Sequence, residues 1–304
     1  MIALLIILIA LVLTQGLINK TRAILSRRRG CQFFQAFYDL RVLMRKAPIY
    51  SHNATFVTRT APLLSLASVL SAMVLLPLGG SYSSLISFSG DIIVFCLLLG
   101  FSRLVVVLAA LDSGGSFNGL GAARSSFFSL ILEPSLFLLL ATLCLITGYD
   151  SFSEIFASFE NASLLLMILS VVVCYGIFNY ALVECGKLPY DDSKTHLELT
   201  MTQEAMMLDL AGVDLGFVKL AEMLKLAIFS LLVINAGVPA SVVGADLLFI
   251  AIGAVVVIGI AIGFVEFFMA RTRMNKNATY ITTISAIGIL ALIVALLFKS
   301  ELTL

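Results

Sequence analysis

The sequence predicts an all-α polytopic membrane protein of about eight transmembrane helices with two large cytoplasmic loops. Three observations predict it. Of 304 residues, 61% are hydrophobic and 12% charged, whereas soluble domains are near half apolar and about a quarter charged. The mean hydropathy is +1.10, and a soluble fold could not cover that much apolar side chain. The apolar residues also run in long unbroken stretches rather than alternating, which favours helices over a barrel. Finally, Lys and Arg concentrate on one set of alternate loops.

A spanning helix needs about 20 mostly apolar residues. Eight stretches qualify: 2–19, 61–79, 90–111, 127–148, 163–183, 220–236, 241–265 and 279–298. The first lacks a basic start and a small-residue cleavage site, so it reads as a retained helix rather than a signal peptide. The sixth carries Glu222 and Lys225 in its first turns. Together the spans read as a single membrane domain, 1–304.

Orientation follows from the loops. The first loop, from Lys20 to Arg59, holds nine basic residues. Arg124, Lys187, Lys194, Lys219, Lys225, Arg271, Arg273 and Lys276 fall on the same side, and only Lys299 falls opposite. The connection between spans four and five carries Asp150, Glu154 and Glu160 and no basic residue. Both termini are therefore expected outside and the large loops in the cytoplasm. The net charge of +1 carries no signature of a polyanionic partner.

Two loops exceed what connection requires. In the first, Phe33–Lys46 alternates Asp39, Arg41, Arg45 and Lys46 with Phe34, Phe37, Leu40 and Val42, a pattern suited to an interfacial helix or to a plain basic anchor. The loop from Glu184 to about 219 is acidic, with Glu184, Asp191, Asp192, Glu198, Glu204, Asp209 and Asp214. If His196–Asp209 is helical, Glu198 and Asp209 share a face and Glu204 points roughly 120° away. Two readings stand: solvated acids with pairs such as Lys219–Glu222 and Glu222–Lys225, or buried carboxylates that relay protons through a wet cavity. Arg103, Glu133, Glu184 and Glu266 also sit within or at the ends of spans, where ionisable groups point to function.

The five cysteines form no CxxC, and neither histidine lies in an apolar span, so the chain by itself is expected to hold no zinc, iron–sulfur cluster or haem. The Gly-rich stretch Ser113–Gly121 lacks the GK[ST] ending of a phosphate loop. It reads as a tight loop that lets backbone approach a neighbour, and Gly253, Gly259 and Gly263 read as helix-packing positions. Without internal repeats, an autonomous inverted-repeat transporter lacks support.

Several motifs in order resemble one family. Glu184-Cys185-Gly186-Lys187-Leu188-Pro189-Tyr190-Asp191, then Thr195-His196-Leu197-Glu198-Leu199-Thr200 and Glu204-Ala205-Met206, resemble the respiratory complex I subunit 1 family in its membrane-bound group 4 [NiFe]-hydrogenase and formate hydrogenlyase branch. Arg28-Arg29-Gly30, Gln35, Tyr38-Asp39-Leu40, Leu111-Asp112-Ser113-Gly114, Arg124 and Glu133-Pro134 fit the same pattern. Cys31, Asp209 and Asp192-Ser193 depart from it: proline, glutamate and Asn-Pro are usual there.

The resemblance implies a non-catalytic anchor and coupling subunit in the cytoplasmic membrane of a prokaryote. It implies hydrogenase-like large, iron–sulfur small and antiporter-like membrane partners, which carry the [NiFe] centre and clusters, and no nucleic acid. By resemblance Glu133, Glu184, Glu198 and Glu204, with Asp191 and Asp209 secondary, map to the proton or ion coupling cavity. Arg28, Arg29, Asp39, Arg41 and His196 map to the interface with the peripheral arm. The alternative is the quinone chamber of a complex I-like quinone oxidoreductase, with a quinone or lipid tail at that interface.

Overall fold

The computed structural model describes residues 2–52, 54–77, 84–159, 164–191, 201–235 and 245–302. Among these residues there are helices and no strands. Eight helices are long: α1 (Ile2–Leu25), α3 (Phe56–Leu75), α4 (Asp91–Asp112), α5 (Ser116–Thr147), α7 (Leu164–Glu184), α9 (Gly212–Asn235), α10 (Ala245–Phe268) and α11 (Met274–Leu302). Three are short: α2 (Gln35–Leu43), α6 (Phe152–Ser158) and α8 (Gln203–Met206). Among the described residues six are long and apolar enough to cross a membrane: α3, α4, α5, α7, α10 and α11. The protein is an all-α membrane protein, as the apolar runs require.

Several helices outrun the apolar stretches that announce them. α5 begins at Ser116 rather than near 127, and α9 at Gly212 rather than 220. Backbone hydrogen bonding continues past the apolar edge wherever a neighbour supports it. The first turns of α5 rest on α8: a Cβ at Gly121 would lie 2.9 Å from the Ala205 Cβ and 3.1 Å from the Thr202 carbonyl oxygen. The expected close approach at this glycine is real, but it occurs on a helix and not in a loop. Glu133 correspondingly lies in the middle of α5 rather than at its start.

The acidic loop is not one helix in its described part. Residues 201–211 form α8 and turns before α9 begins at Gly212. His196 and Glu198, with the rest of the Thr195–Thr200 run, lie outside the described residues.

α9 forms the centre. It packs on α1, α3, α7 and α10, and Leu224–Leu232 is buried on every face. A helix enclosed all round needs no polar face; its first half instead carries partly exposed Lys219 and Glu222 and buried Lys225. Around it α3 pairs with α4, α5 with α11, and α1 with α10. In lipid the hydrophobic effect does not drive helices together, so close packing and interhelical polar contacts must do so. At the α1–α10 seam, a Cβ at Gly259 would lie 3.0 Å from the Leu17 Cβ, and one at Gly263 would overlap Thr21. Gly253 has nothing within 4 Å, so its expected packing role is not seen among the described residues.

Two carboxylates clamp helix ends. Asp112, at the end of α4, accepts from Thr55 N (2.9 Å), Thr55 Oγ1 (2.7 Å), Thr58 N (3.1 Å) and Thr58 Oγ1 (2.6 Å). It thereby caps α3 from another helix. At the opposite end of the bundle Asp91 accepts from Phe152 N at 3.0 Å and Ser151 Oγ at 3.1 Å, fixing the start of α6.

Candidate functional site

The site grows from the end of α7. Glu184 is the last helical residue, and the chain turns at once through Cys185 and Gly186. Gly186 has φ +57, a conformation that L side chains avoid, and its missing Cβ leaves the place taken by the Gln203 amide. Gln203 Nε2 donates to the Glu184 carbonyl at 2.7 Å, so α8 is laid directly on the end of α7.

The Glu184 carboxylate, buried, receives two cations. Arg103 of α4 pairs with Oε2, and Lys225 of α9 donates to Oε1 at 2.9 Å. At 1.5 Å per residue Arg103 stands roughly 14 Å from the Asp112 end of α4 and roughly 18 Å from the other end, near the middle of a ~30 Å apolar layer. Charges at such depth must be paired. The expected Glu222–Lys225 pair does not form. Lys225 turns inward to Glu184, and Glu222 accepts from Lys219 at 3.4 Å, as the other expected pair requires. Lys219 also pairs with Glu204.

The segment after Glu184 is tied down at each step. Lys187 Nζ donates to Gln15 Oε1 at 3.4 Å and lies 4.0 Å from Glu266, which also meets Arg22 at 3.6 Å. Leu188–Pro189 is a cis peptide. The Pro189 carbonyl accepts from Thr272 N (3.0 Å) and Oγ1 (2.9 Å), and the Tyr190 carbonyl from Asn277 Nδ2 (3.1 Å). Burial pushes the Tyr190 phenol up, so it stays protonated. Asp191 pairs with Arg271 at 2.9 Å and accepts from Thr202 N (3.0 Å) and Gln203 N (3.3 Å), capping α8.

These elements enclose a cavity of about 270 Å³ lined by Gln15, Asp39, Lys187, Asp191, Glu204, Lys219 and apolar Leu40, Leu43 and Met223. A second space of about 40 Å³, enough for about one water, lies against Arg103, Glu184, Lys225, Ser65 and Ser125. Gln203 and Glu222 line both. A third space, a groove of about 600 Å³ between α4 and α5, shares Arg103 with the second and reaches Glu133. Polar groups thus run from Asp39 and Glu204, past Gln203 and Glu222, to Arg103–Glu184–Lys225 and Glu133.

Of the residues named from sequence, Glu184, Asp191, Glu204 and Asp39 meet at the first two spaces, and Glu133 lies beyond Arg103. Asp209 stands apart: it accepts from Asn118 Nδ2 at 2.7 Å near the start of α5, where a Cβ on Gly115 would lie 2.7 Å from its Oδ2. Arg28, Arg29 and Arg41 are exposed on the end of the bundle that holds the cavity. From sequence, Arg103 stood out as a mid-span ionisable group with no partner assigned, and Lys225, Glu222 and Gln203 had no site role. A lone arginine in a span demands a buried acid, which was a usable signal for the first; Gln203 had none. Among the described residues no three His, Cys, Asp or Glu side chains gather as a metal site.

Fold and site together define a multi-pass helical membrane protein with an interior charge cluster of Arg103, Glu184 and Lys225. The chain belongs to the NADH dehydrogenase family, that of complex I subunit 1, whose profile matches residues 1–297, and is a membrane subunit of the complex I-like respiratory class. It is 27% identical over 270 residues to formate hydrogenlyase subunit 4 of Escherichia coli (strain K12), covering 86% of this chain and 87% of that one. It is 28% identical over 207 residues to hydrogenase-4 component C of the same organism, covering 67% of this chain and 63% of that relative's length. The fold is similar to a chain in the structure of the membrane-bound sulfane sulfur reductase (MBS), an archaeal respiratory membrane complex, with TM-score 0.80, 22% identity, and coverage of 97% and 98%.

Proposed function

We propose that the chain is the anchor and coupling subunit of an energy-converting, complex I-like hydrogenase or formate hydrogenlyase complex. It links electron transfer in a peripheral arm to proton or sodium movement. The carrying observation is the series of ionisable and amide groups lining three spaces that share residues, from Glu204 and Glu222 at the 270 Å³ cavity, past Glu184 beside Arg103, to mid-membrane Glu133. Such groups relay protons when water joins them. Exposed Arg28, Arg29 and Arg41, with Asp39 at the cavity rim, would face the peripheral arm, together with His196. The basic loops would lie in the cytoplasm of a prokaryote and both termini outside, by the distribution of Lys and Arg. Partners would be the hydrogenase-like large subunit, the iron–sulfur small subunit and antiporter-like membrane subunits, which would hold the [NiFe] centre and the clusters.

A second reading follows from the apolar wall of the 270 Å³ cavity, Leu40, Leu43 and Met223, which suits the head of a quinone shared with the peripheral arm. The intact complex, purified in mild detergent through a tag on this chain, separates the two. Iron–sulfur and antiporter-like subunits with stoichiometric nickel are expected. The same partners with bound quinone and no nickel would replace the first reading with the second. A chain that purifies alone would overturn both.

A further inference from the structure

The groove between α4 and α5 is left open by the described residues. Its α4 wall is Leu97, Phe101, Leu104 and Leu108, which are 59%, 46%, 53% and 45% exposed. Its α5 wall includes Ser126, Leu130, Glu133 and Phe137. Both rows repeat at spacings of four, three and four, the seam that a crossing helix fills with its own side chains. Between the rows Gly100 and Ser129, and in the α5 row Ser126, are small enough for a close backbone approach.

The floor is short of hydrogen-bond donors. Glu133 is half-buried there and, among the described residues, makes no hydrogen bond or ion pair, while Arg103 pairs with Glu184. Pro134 has no N–H to give the Leu130 carbonyl one turn back. A carboxylate at this depth is held by protein or water, not by acyl chains.

We infer that this groove receives a transmembrane helix of a different membrane subunit, which brings a donor side chain, such as a Lys, Asn or hydroxyl, to Glu133. A lipid tail would match the walls but leave the carboxylate bare. A second copy across a twofold axis would set two Glu133 carboxylates against each other, since such an interface presents the same patch from both sides. The inference rests on the reading of the chain as one subunit of a membrane complex.

The test uses the whole complex in its native membrane, with a benzophenone photo-crosslinking residue at Leu104 and, in a separate variant, at Val171, which is 68% exposed on α7 outside the groove. Position 104 is expected to give one adduct with another membrane subunit, in higher yield than position 171. Glu133→Leu in the same background should lower that yield about threefold or more, the worth of an interhelical hydrogen bond in a membrane. Copurification of the partners, checked first, separates the two ideas. If the chain purifies alone, the complex itself is refuted. If the partners are present, lipid-only adducts, an adduct with a second copy, or a yield unmoved by Glu133→Leu would overturn the groove's assignment.

Discussion

Lys225 Nζ lies 2.9 Å from Glu184 Oε1, 41 positions away in the chain, although Glu222 stands one turn back on its own helix. The choice follows from burial. Glu184 is enclosed and carries Arg103 as well, whereas Glu222 faces the larger cavity and has Lys219. Three charges on three helices therefore make one unit, and losing the middle one differs from losing an outer one.

Lys225→Met leaves Arg103 and Glu184 as a balanced pair, whereas Glu184→Gln leaves two buried cations against a neutral amide. Removing one partner of a buried pair destabilises by about 3–5 kcal/mol. Glu184→Gln is expected to reach that range and Lys225→Met to fall short of it. The yield of monodisperse complex and its melting temperature in detergent check the order. Equal losses would show that Arg103 does not depend on Glu184.

Glu222 faces both spaces and should matter to ion movement as much as Glu204. With assembly intact, Glu222→Gln is expected to lower ions moved per electron transferred in sealed vesicles while electron transfer itself continues. An unchanged ratio in Glu222→Gln and in Glu204→Gln would remove both from the route.

Gly186→Ala meets two separate obstacles, φ +57 and the Gln203 amide. The backbone part alone is of order 1–3 kcal/mol. Gln203→Ala in the same chain should recover the steric part and leave the backbone part, so melting temperatures should rank wild type, double variant, then Gly186→Ala. A double variant no better than Gly186→Ala would mean that the amide does not rest on that glycine.

Gly263→Ala would overlap Thr21 on α1. It is expected to loosen the α1–α10 seam, Thr21→Ala to restore it, and Gly253→Ala, with open space around it, to change nothing. Thermal stability of the purified complex reads all three. A loss at Gly253 equal to that at Gly263 would argue against packing as the cause.

Asp112→Ala removes four hydrogen bonds, two of them from the backbone at the start of α3. Loss of such a cap destabilises by about 0.5–2 kcal/mol, and Asp112→Asn, which keeps acceptor oxygen, should lose less. The same melting curves compare them.

The sequence by itself determined the medium and the outline of the protein. Apolar composition, run length and the one-sided Lys and Arg are properties of single segments against their solvent, so they are legible without a fold. The Ser113–Gly121 and Gly259–Gly263 stretches were readable as places of close approach because absent side chains announce themselves. What only the tertiary structure decided was which charges belong together. Lys225 had a local acid at helical spacing and took a distant one. Asp209 went to Asn118, because residues 201–211 form a short helix and turns rather than one continuous helix. α9, whose span carries Glu222 and Lys225 in its first turns, is the core. Pairing in a membrane interior is settled by which groups are jointly withdrawn from water, and that depends on contacts between segments far apart in the chain.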